Sequence, residues 1–210
     1  MDKLDFIYKR KSVRKFTDEK VNVEDIKEII RAAGAAPSGT NSQNWHYVVL
    51  TNKDRIGWLA DTVERKHNEL QDSNISDKTK VKLKKFLHYA TLFKNAPAVI
   101  VAFAKDYTFL KDSDLEGFSE EDKEVIKFSN PAMQNLGASI ENLCLSAAAL
   151  GYGTCWMTAP CYAYNEISEF VGMEDSIYHP VAIIPIGRAD GEVPSPSKRD
   201  LDDYLTIFED

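Results

Sequence analysis

Four histidines, three cysteines and no glycine-rich phosphate loop leave this chain of 210 residues poorly equipped for catalysis by its own side chains. His46, His67, His88 and His179 are scattered without metal-ligand spacing, and Cys155 and Cys161 have no second pair to complete a zinc site, so no metal is expected. An odd count of cysteines (Cys144, Cys155, Cys161) gives no disulfide framework and fits a reducing cytoplasm. No G-x-S-x-G elbow or Walker loop occurs, and no pair of carboxylates is singled out for glycoside chemistry. Gly151-Tyr-Gly153 begins as G-x-G, but it follows a helical pattern and lacks the third glycine of a dinucleotide fingerprint. The longest apolar run, Ala96 to Ala104, is too short to span a bilayer, and Met1-Asp2-Lys3-Leu4-Asp5 has no apolar core of a signal peptide. There is no Pro/Gly/Ser-rich linker, internal repeat or low-complexity tract. A net charge of −7 argues against nucleic acid as partner. The lack of an obvious acid, base or nucleophile suits a cofactor enzyme, in which the protein positions and the cofactor reacts.

What is present starts with one basic stretch. Five of the seven residues from Lys9 to Lys15 are positive: Lys9, Arg10, Lys11, Arg14 and Lys15, with Ser12 among them. Charges packed this densely repel, and Arg, Lys and Ser together offer the donors that phosphate oxygens need. The run reads either as an anion cradle or as a solvated basic turn. A second dense stretch, Pro37 to Trp45, holds Ser38, Gly39, Thr40, Asn41, Ser42, Gln43 and Asn44. It is either a capped turn or a loop that reads the edge of a polar planar ligand.

With 43% hydrophobic and 28% charged residues the chain is an ordinary globular one, read as a single domain over 1–210. Periodicity predicts a short helix over 3–9 with Leu4 and Ile7 inward, and a helix capped by Asn22 with Ile26, Ile29, Ile30 and Ala33 on one face. A helix from Asp54 to about Leu70 follows, then a lysine-rich helix capped by Ser76 with Leu83, Phe86, Leu87 and Ala90 inward. Pro131 opens what reads as the longest helix, either a core helix or one packed on its own copy. Asn165 is expected to cap a short helix ended by Gly172. Buried strands are predicted at 46–51, 96–104 and 181–187, the last breaking at Pro185, and 151–157 reads as a strand presenting alternate faces. The stretch 105–125 reads as solvated loop and helix, not a calcium loop. Leu201, Tyr204, Leu205, Ile207 and Phe208 make the tail too apolar to be free.

In their order and spacing Arg10-Lys11-Ser12-Val13-Arg14, Ala36-Pro37-Ser38-Gly39-Thr40-Asn41-Ser42-Gln43-Asn44-Trp45, Gly151 to Met157, Pro185 to Arg188 and Ser197-Lys198-Arg199 resemble the nitroreductase family of FMN-dependent oxidoreductases. The resemblance covers nearly the whole chain. It implies an α+β fold with a mixed, largely antiparallel sheet flanked by helices, in an intertwined homodimer with FMN at each interface. It implies that 54–93 is a variable lid or channel segment and that 194–210 is an arm embracing the other subunit. Arg10, Lys11, Ser12, Lys198 and Arg199 would hold the FMN phosphate. Pro37, Ser38, Gly39, Asn41 and Gln43 would meet the partner subunit's flavin. Met157, Thr158 and Ala159 would lie over the ring, with Thr158 where many members carry an acidic residue. Arg14 would offset the charge that reduction places near flavin N1 and O2. The implied reaction is ping-pong: NADH or NADPH gives a hydride to flavin N5, and a nitroaromatic, quinone or other small acceptor is reduced. Two other readings stand beside it: a specialised relative, such as a reductive dehalogenase or a flavin-fragmenting enzyme, and a protein that stores or senses FMN without turnover.

Overall fold

The computed structural model describes residues 3–209, so the readings that involve residues 1, 2 and 210 lie outside it. Four strands form one sheet: β1 (Trp45–Leu50), β2 (Ala98–Lys105), β3 (Gly153–Thr154) and β4 (Tyr178–Gly187), in the order β1-β2-β4-β3 with every pairing antiparallel. A single parallel bridge, Ser12 to Thr154, adds the basic stretch to the free side of β3. The α+β expectation, a largely antiparallel sheet with helices around it, is met.

Seven α-helices flank the sheet among the described residues: α1 (Asp5–Lys9), α2 (Val23–Gly34), α3 (Lys53–Asp72), α4 (Asp77–Ala90), α5 (Glu120–Phe128), α6 (Pro131–Ala149) and α7 (Tyr164–Val171). Strand β2 is buried on both faces, which is why it reads as an unbroken apolar run. Alternation sends Ala98, Ile100, Ala102 and Ala104 toward α2 and α6, and Val99, Val101 and Phe103 toward α3 and α7. The result is three layers with a core on each side of the sheet.

Local signals placed most elements well. Asn22 and Ser76 cap α2 and α4 through the backbone N–H groups of Glu24 and Thr79. Several expectations are corrected. Helix α3, at 20 residues, exceeds α6 at 19, because it continues through Asp72. Asn165 lies inside α7, which grows straight out of the 3₁₀ turn Ala159–Ala163 and has no side-chain cap. Strand β1 is an edge strand and only half-buried.

Pro185 does not break β4. Its carbonyl accepts from Cys155 N–H at 3.3 Å, so its nitrogen also faces the β3 side, where it has no hydrogen to return. The ladder therefore loses one bond at Cys155 and resumes with the reciprocal pair between Met157 and Ile183, at 3.1 and 2.8 Å. The register of 153–157 against 183–187 is unbroken, but the regular strand β3 ends at Thr154.

The remaining corrections share one cause. Leu4 and Ile7 are exposed, and Phe86 on α4 is exposed while Leu83 and Leu87 are half-buried and Ala90 is buried. Periodicity marks which face is apolar; it does not say whether the same chain covers it. No helix among the described residues is long and apolar enough to cross a membrane, and no group of three or more His, Cys, Asp or Glu is placed to hold a metal ion.

Burial pushes the Cys144 thiol up to about 11 and the Cys161 thiol up to about 12, and it pushes the Tyr47 phenol up to about 12. These groups fold in their neutral form. Unfolded, the thiols ionise near 9 and the phenol near 10. Their contribution is fully present below those values and is lost as pH rises toward the folded ones. Thermal melts should therefore show Tm falling steadily between about pH 9 and 11. Thiol titration of the native protein at pH 8 should label Cys144 and Cys161 slowly, and full labelling should require denaturant.

Candidate functional site

The basic stretch leaves α1 in extended form and is pinned to the sheet by Val13, whose N–H donates to the Thr154 carbonyl at 2.8 Å. Val13 is buried against Gly153, where any Cβ would collide with the Val13 side chain. This close approach explains the glycine. Gly153→Ala should cost about 1–3 kcal/mol in a denaturation experiment and push Ser12 and Arg14 outward. Because Val13 points inward, its neighbours Ser12 and Arg14 face the other way.

Arg10, Lys11, Ser12 and Arg14 line one cavity of about 470 Å³ together with Lys198 from the tail. Arg10 is held by Glu141 of α6 at 3.6 Å, and Lys11 by the Val193 carbonyl at 2.8 Å. Both contacts are long-range, so the cradle is assembled by α6 and by the segment after β4. Arg14 is exposed. Among the described residues its guanidinium has no carboxylate partner, only a 3.4 Å bond to the Ser12 carbonyl. It also lines a second, smaller cavity of about 210 Å³ with Tyr89, Leu92, Cys155, Trp156, Met157, Thr158 and Ala159. Arg14 thus stands where a basic cradle and a largely apolar slot meet.

The expected residues do not all gather there. Arg199 lies over the ring of Tyr204 at 5.5 Å and does not line the cradle. Pro37, Ser38, Gly39, Asn41 and Gln43 sit in a separate loop against the start of α6. Gly39 N–H donates to Asn135 Oδ1 at 3.1 Å, while Asn135 Nδ2 donates to Ser42 Oγ and to Asn44 Oδ1. Ser38 Oγ accepts from Gln43 N–H at 3.0 Å. Thr40, Asn41 and Gln43 adopt φ of 51°, 55° and 42°, a left-handed backbone that costs about 1 kcal/mol or more per residue. Gly39 itself has an ordinary φ. It is small because Tyr107 packs on it, so of the two roles open to it close approach is the one used. Asn41 and Gln43 are exposed, and neither lines their own chain's cradle.

Three positions that build the site carry no sequence signal of a role. Asn135 interrupts the apolar seam of α6, and its partners lie far away in the chain. Glu141 reads as an ordinary helix surface residue until Arg10 meets it. His67 on α3 is buried, with Nδ1 at 2.9 Å from the Tyr162 hydroxyl and Nε2 without a partner among the described residues. It ties α3 to the turn that carries Ala159, and burial pushes the Tyr162 phenol up to about 12. Next to it, Lys66 pairs with Glu166 of α7 at 2.8 Å, and that pairing holds the Glu166 carboxyl below its ordinary value despite the opposing pull of desolvation.

The nitroreductase family model matches residues 7–188. A solved BluB-like flavoprotein from Clostridium difficile is 37% identical, with both chains covered in full and a TM-score of 0.90. A Methanothermobacter thermautotrophicus protein assigned as an NADH dehydrogenase or NAD(P)H nitroreductase is 26% identical over 206 residues, covering 97% of this chain and 84% of its own. An iodotyrosine deiodinase of Hydra vulgaris is 26% identical over 210 residues, covering 95% of this chain and 70% of its own. With its basic cradle, its sheet order and this match over most of its length, the chain belongs to the nitroreductase family.

Proposed function

We propose that this protein is an FMN-dependent oxidoreductase that draws on NADH or NADPH and reduces a small acceptor such as a nitroaromatic or a quinone. The observation that carries the reading is the position of Arg14, shared by a cradle of four cationic side chains and Ser12 on one side and the slot under Met157 to Ala159 on the other. A group with a phosphate at one end and a planar ring at the other fits that pair of cavities, and FMN is such a group. When bound there, FMN would supply the hydride and electron transfer.

The residues do the rest. Arg10, Lys11, Ser12 and Lys198 hold the phosphate. Arg14 places a fixed positive charge by the ring and so favours its reduction. Thr158 and Ala159 line the slot beside Met157, whose backbone N–H and carbonyl are both taken by Ile183, and Thr158 there in place of a carboxylate keeps its wall neutral. The strained loop at Ser38 to Gln43 presents Asn41 and Gln43 outward, toward the ring of a second copy of the chain in a homodimer. The exposed apolar residues of α1 and of the tail supply surface for that second copy, and three free cysteines suit a reducing cytoplasm.

A specialised flavoprotein is the second reading. The deiodinase likeness favours it, as does Tyr89 of α4, which lines the slot and offers a ring to a dedicated substrate.

The purified protein should be yellow, and anaerobic NADH or NADPH should bleach the flavin bands, with electrons then passing to a quinone. A yellow protein that neither donor bleaches would reject this reading in favour of storage, sensing or the specialised one. A colourless protein that takes up no FMN would reject the flavin itself.

A further inference from the structure

We propose that one face of α4 binds the 2′-phosphate of a nicotinamide adenine dinucleotide, making NADPH the preferred donor. This rests on the reading above that a nicotinamide donor enters the slot. Lys78, Lys82, Lys85 and Tyr89 fall at i, i+4, i+7 and i+11, and so share one stripe of the helix. Tyr89 lines the slot with Arg14, Met157 and Thr158. The stripe therefore starts at the slot and runs away along the helix. At the α-helical rise, Lys78 lies about 16 Å from Tyr89 along the axis, the reach of a stretched dinucleotide whose nicotinamide sits in the slot.

Charge points the same way. Helix α4 carries Lys78, Lys80, Lys82, Lys84 and Lys85 against Asp77, in a chain of net charge −7. Among the described residues none of the three stripe lysines enters an ion pair, and all three are exposed. Unopposed cations on one turn after another repel, and a phosphate group relieves that. Phe86, also exposed, stands beside the stripe with its ring 6.5 Å from that of Tyr89, so two aromatic faces flank the end of the stripe that receives the nicotinamide. A nucleotide with an extra phosphate uses both features. NADH, with a hydroxyl in that place, uses only the aromatic one.

Calorimetry with 2′,5′-ADP and 5′-AMP on the FMN-loaded protein tests this without turnover. The wild type should bind 2′,5′-ADP about tenfold more tightly than 5′-AMP, and Lys82→Gln/Lys85→Gln should bring the two close to parity. In steady-state assays the same variant should lower the NADPH-over-NADH ratio of kcat/KM about tenfold, through KM. Equal affinity for the two nucleotides in the wild type, or a preference that survives in the variant, overturns the proposal. Binding to phosphatidylserine vesicles that the variant loses, with nucleotide preference unchanged, also overturns it and assigns the stripe to an anionic membrane surface. If neither donor bleaches the flavin but the lysine-dependent preference for 2′,5′-ADP holds, the phosphate site stands and the donor reading falls.

Discussion

Arg10→Gln should leave a folded protein that is purified nearly colourless. A charge-assisted hydrogen bond to phosphate is worth about 1.5–3 kcal/mol, so FMN affinity should fall roughly tenfold to a hundredfold. Arg10 is the right residue to change because its side chain is largely sheltered and fixed by Glu141, which aims it into the cavity. Glu141 is about half exposed, so leaving it unpaired should cost little, and Tm of the apoprotein should move by no more than a degree or two. Flavin fluorescence quenching on titration gives the dissociation constant. The informative contrast is Arg199→Gln, which the structure places on Tyr204 and away from the cradle. It should leave FMN binding within about twofold of wild type. If Arg199 proved the stronger of the two, the tail would close over the phosphate in the assembled protein, and the cradle described here would be its open form.

The second large effect is on the flavin's electronics. Arg14→Ala should lower the two-electron midpoint potential of FMN-loaded protein by about 20–40 mV, the equivalent of about 1–2 kcal/mol lost from a partly screened charge. Arg14→Lys should restore most of it, since charge and not the planar fork is what the ring senses. Equilibration against a dye of known potential reads this directly. An unchanged potential in both variants would remove Arg14 from the ring and leave it as a phosphate ligand only. The slot geometry favours the first outcome: among the described residues Arg14 alone is common to the cradle and to the slot, and none of them offers it a carboxylate partner.

How much of this the sequence disclosed depends on range. Strand β2 and helices α2 and α3 were legible because their signals are local: an unbroken apolar run, a capping Asn, and apolar residues at helical spacing. The basic stretch was legible as chemistry, and its company made it legible as a family mark. What failed to show were properties set by distant partners. Asn135 looks like a flaw in an apolar seam until Gly39, Ser42 and Asn44 arrive from more than ninety residues earlier. His67 reads as one more polar residue on a long helix until Tyr162 and the core close over it. Leu4 and Ile7 of α1 and Phe86 of α4 were correctly marked apolar and wrongly assigned to the chain's own interior. Pro185 failed for another reason. A proline in a central strand is normally a break, but its missing hydrogen points to only one of two neighbours, and nothing local says which.

That missing hydrogen has a consequence for how the slot can vary. A strand bonded on every rung transmits any local adjustment to its neighbours, because moving one residue stretches the bonds beside it. At Cys155 the rung is half made, so Cys155 and Trp156 can shift by a fraction of an ångström while Met157, doubly tied to Ile183, stays in place. The floor of the slot is thereby fixed at one end and forgiving at the other. Under the proposed function, substitutions at Trp156 should reshape the room for an acceptor without disturbing the backbone at Met157, a way of changing which acceptor is used while keeping the rest of the site.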